Sequence, residues 1–324
     1  MSEDFLKTLA PLIERLNQTL AAILSDSGGF ATQVGLYGLE AGGKRLRPLM
    51  FCLACESLGQ PLDEGTVRLS TAFELLHLAT LFHDDIIDMS ETRRGQPAAH
   101  RAFGVPEAVL AADYLMAKSA EVALSTNNMA CFQVFVHIIK ELSLGELDQL
   151  KNQNEVQLSR EAYELTIYRK TAALMEGVGL TAGLWLAAKE NLTEALGAYG
   201  RGVGLAFQII DDVLDYEGQA NQLGKPVGQD LDEGRITLPF ILARDQLPAQ
   251  ARKRLLALGS QRFLKPEDKA EIIDLVIQGQ GVQAAKVVAT AKADQAIAAL
   301  GKMPPSPGRE RLTQLSLATL AREK

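Results

Sequence analysis

Two short runs of aspartate dominate the chemistry available to this chain. Asp84-Asp85-Ile86-Ile87-Asp88 and Asp211-Asp212-Val213-Leu214-Asp215 both read DDxxD, and the second follows the first by 127 residues. On a helix turning 100° per residue, the first and last aspartates of each run lie within about 40° of one another. Like charges so placed repel even in water, and far more strongly in an apolar cleft. Ile86, Ile87, Val213 and Leu214 are apolar, so both runs are expected on mostly buried helices, where a cation must compensate them. An all-oxygen carboxylate donor set suits the hard ion Mg²⁺, which keeps waters and completes its shell with substrate phosphates. One such run is explained equally well by a solvated helix face. Two copies in apolar surroundings point to a site, and no His/Cys ligand set suggests zinc.

Cations stand nearby in the sequence. Gly42-Gly43-Lys44-Arg45-Leu46-Arg47-Pro48 sets three of them behind a diglycine and ahead of a proline suited to a helix start. Arg93-Arg94-Gly95 follows the first aspartate run by five residues, and Lys170-Thr171, the 224–230 loop with Lys225, and Arg235 add further donors. Together these describe a pocket for two polyanions, one held through Mg²⁺ and one held directly by Arg and Lys. No GxxxxGK[ST] loop is present and no GxGxxG follows a strand, which argues against nucleotide sites. The formal net charge is −7, from 33 basic and 40 acidic residues. The whole-molecule field therefore opposes nucleic-acid binding, and any anion site must be local.

The elements needed to hold these groups are helices. Phe5, Leu9, Leu12, Ile13, Leu16, Leu20, Ile23 and Leu24 recur at three and four residues, the stripe of an amphipathic helix, and alternating strand patterns are scarce. Backward projection puts His77, Thr80, Asp84 and Asp88 on one helical stripe, and Gly204, Phe207, Gln208, Asp211 and Asp215 on another. Gly204 inside a helix costs about 1 kcal/mol against alanine, which signals close approach of a partner or ligand. The expected architecture is all-α, a single large helical bundle, with residues 1–324 forming one domain. The Cys52/Cys55 pair has apolar flanks and no second CxxC, so with Cys131 it reads as buried structural thiols. The acidic start Met1-Ser2-Glu3-Asp4 is unlike a signal peptide, and the apolar stretch from Gly179 to Ala188 falls short of the roughly 20 residues a spanning helix needs. A cytoplasmic protein is expected.

These motifs together resemble the trans-isoprenyl diphosphate synthases, or polyprenyl synthetases. The resemblance covers most of the chain: GGKRLRP at 42–48, HDDIID at 83–88 with RRG at 93–95, GELDQ at 145–149, YRKT at 168–171, FQIIDD at 207–212 and GKPVGQDLDEGRITLP at 224–239. It implies an all-α bundle whose two aspartate runs face each other across a deep central cavity, and a homodimeric, Mg²⁺-dependent prenyltransferase that joins isopentenyl diphosphate to an allylic diphosphate and makes a lipophilic product, with three Mg²⁺ ions per active site once substrate is bound. Carried onto this chain, Asp84, Asp88, Asp211, Asp212 and Asp215 would serve the metals, with Asp85 in support. Lys44, Arg47, His77 and Arg94 would hold isopentenyl diphosphate. Arg93, Lys170, Thr171, Gln208 and Lys225 would contact the allylic substrate. Arg235 stands where the family often has lysine, and Ala112 replaces a usual glycine before Asp113.

In this family, bulk beneath the first aspartate run limits the growing tail. Ala79 and Thr80 occupy those positions here, and no two-residue insertion interrupts the first DDxxD. The resemblance thus implies a product of roughly thirty to fifty carbons, with forty as the central value. Phe132, Phe135 and Val136 offer a deeper floor. A shorter-chain synthase and a non-catalytic regulatory subunit are the alternatives; the subunit reading is weakened because all six aspartates are kept. A class I terpene cyclase would normally have a mixed Asn/Ser/Glu motif in place of the second DDxxD.

Overall fold

The computed structural model describes residues 3–26, 28–217 and 227–321. Among the described residues the chain is almost entirely helical, with one short hairpin. In α1 (Glu3–Ser25) the expected stripe is realised: Leu9, Leu16, Leu20, Ile23 and Leu24 are buried. Next come α2 (Gly29–Glu40), α3 (Leu46–Ser57) and α4 (Glu64–Ile87). Asp63 caps α4 by accepting a 2.7 Å hydrogen bond from the Thr66 backbone N–H. Most of α4 is buried, polar Thr66, Ser70, Thr71, Glu74 and Asp85 included.

A two-stranded hairpin follows, β1 (Thr92–Arg93) paired antiparallel with β2 (Gln96–Pro97). Its turn residues Arg94 and Gly95 have φ values of 52° and 81°. Positive φ at both central positions is the signature of the tight turn whose twist matches paired strands. The chain then runs through α5 (Ala99–Phe103), α6 (Val105–Leu124), α7 (Met129–Lys151) and α8 (Arg160–Ile167). A single π-turn spans Tyr168–Ala172 and leads into α9 (Ala173–Trp185).

The longest helix is α10 (Glu190–Glu217), which packs against α9. The remaining elements are α11 (Gln229–Asp232), α12 (Leu238–Gln246), α13 (Ala249–Gly259), α14 (Pro266–Gln278), α15 (Gly281–Ala299) and α16 (Pro307–Leu320). Ala285, Ala289, Ala293 and Ala296 are fully buried on α15, and these small side chains let it lie close against α10.

Buried apolar residues form two clusters. One gathers α1–α4, α6, α7 and α9, and the other gathers α8, the C-terminal half of α10 and α12–α15. The central cavity is lined from both: Leu142 and Leu174 belong to the first, Leu158 and Ile167 to the second. Cys52, Cys55 and Cys131 are buried free thiols, and burial pushes Cys131 up to about 11. No helix among the described residues is long and apolar enough to cross a membrane.

Candidate active site

The cavity has a volume of about 730 Å³ and carries both aspartate runs on its walls. Asp84 and Asp88 come from the C-terminal end of α4, where Asp88 is the first residue past the helix. Asp211, Asp212 and Asp215 come from α10. The two stripes projected from sequence thus face one space: His77, Thr80, Phe207 and Gln208 line it as well.

The six aspartates differ in what they can offer. Asp84 Oδ1 is buried without a hydrogen-bond partner. Burial raises this carboxyl to about 7; Lys170 works against the shift, and Glu146 and Asp88 add to it. Asp85 is absent from the cavity lining and is 2% exposed. It accepts both Nε and Nη2 of Arg93, the Nε contact at 2.9 Å, and so anchors that guanidinium at the cavity edge. Asp88 Oδ2 accepts from Arg235 Nη2 at 2.7 Å.

On the opposite wall, Asp212 is 3% exposed and uses both oxygens on protein donors: Tyr163 Oη at 2.6 Å and Gln208 Nε2 at 2.9 Å. Burial raises it to about 7 despite those bonds, and Asp211 and Asp215 push in the same direction. Asp215 accepts the backbone N–H groups of Gln229 and Asp230, each at 3.0 Å, which folds the start of α11 back onto α10. Burial nevertheless raises its carboxyl above the usual range, and Asp230 beside it is raised further.

Such a wall of raised, partly unpartnered carboxylates fits a divalent hard cation. Among the described residues no three side chains converge into a closed cage.

The cavity's other corner is cationic. Lys44, Arg47, His77, Arg93 and Arg94 all line it. Burial lowers Arg47 to about 10, partly offset by Glu74. His77 is pushed well below the usual imidazole range by burial and then by Arg47, Arg94, Arg93 and Arg45, so it is neutral at pH 7. The hairpin turn sends Arg94 back to the Gly42 carbonyl while Arg93 reaches Asp85.

Lys170 and Thr171 lie on the π-turn, a distortion that concentrates at functional sites. Lys170 Nζ sits 2.7 Å from Glu146 and 2.9 Å from Gln149, both in the GELDQ segment of α7. Thr171 Oγ1 donates to Gln208 Oε1 at 2.8 Å. Two glycines clear the space for this turn. A Cβ on Gly204 would stand 2.6 Å from Ala172 Cα, and one on Gly145 would stand 2.8 Å from the Lys170 backbone nitrogen. The close approach anticipated at Gly204 is to the backbone that carries Lys170 and Thr171.

Several expectations need revision. Thr80 lines the cavity, but Ala79 is fully buried and absent from its lining. Val136 is 48% exposed on α7 and absent from the cavity lining, whereas Phe135 is buried against Phe73. Lys225 lies outside the described residues. Sequence reasoning did not single out Tyr163, which belongs to no motif, and gave Glu146 no role although it lies in the GELDQ segment. Arg235, noted as a departure from pattern, proves to join the two walls.

Residues 30–276 match the Polyprenyl synthetase family. The chain is 33% identical over 327 residues to the octaprenyl diphosphate synthase of Escherichia coli, covering 100% of this chain and 97% of that one. Its structure superposes on a decaprenyl diphosphate synthase from Rhodobacter capsulatus with a TM-score of 0.92 and 30% identity, covering 99% of each chain. A polyprenyl synthase from Caulobacter crescentus, solved with calcium and isoprenyl diphosphate, gives a TM-score of 0.89 at 33% identity, with 100% of this chain and 98% of that one covered. With paired aspartate walls, a cationic corner and likeness along its whole length, this chain belongs to the polyprenyl synthetase family.

Proposed function

We propose that the chain elongates an allylic prenyl diphosphate with isopentenyl diphosphate to a medium or long trans-polyprenyl diphosphate, octaprenyl being the central expectation. The observation that carries this reading is the division of one cavity into two aspartate walls and one cationic corner. Two diphosphates can then be held at once by different means.

In this reading Asp84, Asp88, Asp211 and Asp215 hold Mg²⁺ at the allylic diphosphate, and Asp212 braces that wall through Tyr163 and Gln208. When bound, Mg²⁺ supplies positive charge to the departing pyrophosphate. Arg93 and Lys170 add fixed positive charge beside it, already oriented by Asp85, Glu146 and Gln149. Lys44, Arg47, Arg94 and neutral His77 hold isopentenyl diphosphate. The allylic C–O bond breaks, the isopentenyl double bond attacks the resulting carbocation to form the new C–C bond, and a proton leaves the adjacent carbon. The departing pyrophosphate takes that proton, as the resemblance to the family implies. Leu142, Ile167, Leu174 and Phe207 keep water from the cation and take up the lengthening tail.

The working form is proposed to be a homodimer. Exposed Met129, Val136, Leu147 and Leu150 are separated by seven, eleven and three residues, spacings that keep them on one face of α7, and Leu110 and Leu124 are exposed on α6. A second copy covering them would form a two-fold interface.

The test is incubation of purified protein with Mg²⁺, farnesyl diphosphate and labelled isopentenyl diphosphate, followed by chain-length analysis. Products near forty carbons support the reading, products stopping at fifteen or twenty support a shorter-chain synthase, and no condensation with any primer supports a regulatory subunit.

A further inference from the structure

Arg45 lies in the middle of the basic motif yet serves a different purpose from its neighbours. It precedes α3 with φ at 50°, a left-handed conformation that side-chain-bearing residues rarely adopt. Such strain persists where surrounding bonds over-determine it. The side chain is only 7% exposed. Its Nε donates to Asn17 Oδ1 on α1 at 2.8 Å, Nη2 to the Leu39 carbonyl near the end of α2 at 2.8 Å, and Nη1 to the Gly42 carbonyl at 3.2 Å. Nη1 also lies 3.2 Å from Glu74 Oε1 on α4. Four of the five guanidinium N–H groups are thus committed to protein acceptors drawn from α1, α2, the diglycine loop and α4.

Glu74 is the matching oddity. It is 6% exposed, a buried carboxylate within the cationic corner, and its Oε2 has no hydrogen-bond partner. Its charge also acts on Arg47 and Arg94, favouring their charged forms against burial. Glu74 is thus a negative charge set among Arg45, Arg47 and Arg94, whereas Arg93 is answered separately by Asp85. Gly43 completes the arrangement: a Cβ there would meet Arg94 Nη1 at 2.7 Å and Arg45 Nη1 at 2.8 Å.

We propose that Arg45 and Glu74, which line the same cavity but are spent on protein partners, are positioning residues for the isopentenyl diphosphate subsite, a largely buried strut that fixes Lys44 and Arg47 at the cavity wall. Arg45 ties down the chain between those two cations from beneath, and Glu74 balances their charge. The inference rests on the proposed function, since it assigns the cationic corner to isopentenyl diphosphate.

The experiment is steady-state kinetics of the full-length enzyme with each substrate varied separately, on wild type, Arg45→Lys, Glu74→Gln and Asn17→Ala, with folding checked by circular dichroism. Arg45→Lys keeps the charge but loses the fork needed for several acceptors at once. It is expected to raise KM for isopentenyl diphosphate about tenfold or more, with kcat and the allylic KM changed less than about threefold. Asn17→Ala removes a single acceptor on α1, outside the cavity lining, and is expected to shift the same KM in the same direction by a smaller factor. Should Arg45→Lys not fold, Asn17→Ala and Glu74→Gln carry the test. An unchanged isopentenyl KM in the folded variants, or equal loss for both substrates, overturns the strut. Absence of condensation in wild type overturns the proposed function instead, and metal-free titration of each protein with isopentenyl diphosphate then decides the strut by binding alone.

Discussion

Arg235 Nη2 lies 2.7 Å from Asp88 Oδ2, joining residues 147 positions apart and tying the segment after the second aspartate run to the end of α4. The same guanidinium stands 2.8 Å from Glu233 and 3.6 Å from Asp230. This arginine adds compensating positive charge at Asp88. Arg235→Gln is expected to lower metal-free stability by about 1–2 kcal/mol, between the values for exposed and fully buried pairs. Adding Mg²⁺ alone should raise its melting temperature more than that of wild type, because Asp88 no longer has to release a cation first. Equal shifts in a thermal-melt titration would count against this exchange.

The raised carboxyls predict an unusual pH dependence. Asp84 and Asp212 are raised to about 7, above the usual aspartate value near 4. A group with a raised folded-state pKa contributes stability that is complete below its unfolded pKa and is lost as pH rises through the folded one. The metal-free protein is therefore expected to weaken between pH 5 and pH 8. Asp84→Asn should be more stable than wild type at pH 8 by about 1 kcal/mol, a few degrees of melting temperature, while losing about a hundredfold or more in condensation. His77 acts in the opposite sense: its contribution is present above about 6.5 and is lost as pH falls, so His77→Asn should flatten the acid side of the profile. Melting curves across pH in chelator, compared among the three proteins, check both signs.

Product length has its own test. Phe73 precedes Asp84 by eleven residues, which places it on the same α4 stripe and about 16 Å further down the helix. Its ring centroid is 5.9 Å from that of Phe135 and 5.6 Å from that of Phe51, an aromatic layer beneath the cavity lining. Phe135→Ala is expected to lengthen the products, at a stability cost of about 3 kcal/mol. Chromatography of dephosphorylated products reads the result; an unchanged ladder would show that the stop lies elsewhere.

Gly204→Ala tests the support of the π-turn. An alanine Cβ would stand 2.6 Å from Ala172 Cα, and two helical backbones cannot yield as a flexible side chain can. The gain of about 1 kcal/mol in helix propensity should be outweighed by about 1–3 kcal/mol of overpacking. The allylic KM should rise more than the isopentenyl KM, since Lys170 and Thr171 are displaced while the opposite corner is not. A more stable, fully active variant would contradict this account.

Much of the site could be read from sequence because it depends on spacing along single helices. Asp84 and Asp88 share a stripe whatever they pack against, as do Gln208, Asp211 and Asp215. What stayed hidden depends on meetings between distant segments. Nothing local to Tyr163 reveals that its hydroxyl meets Asp212, and Asp85 reads like its neighbours until its burial against Arg93 is seen. Ala79 shows the same limit from the other side: one residue from Thr80, it lies 100° around the helix and joins the core rather than the cavity. The hairpin at 92–97 escaped because two-residue strands have no periodicity to detect.

Deleting a residue from a helix ordinarily breaks it, but the π-turn at Tyr168–Ala172 reverses that expectation. A π-turn is a helix carrying one residue too many. Removal of one residue there would let α8 and α9 fuse into a single regular rod with ordinary hydrogen bonds throughout. The same deletion would swing Lys170 and Thr171 by about 100° relative to the remainder of the rod. With Lys170 and Thr171 serving the allylic substrate as proposed, stability alone would favour losing the surplus residue and activity would favour keeping it. A library screened for thermal resistance should recover its loss, and one screened for product should not.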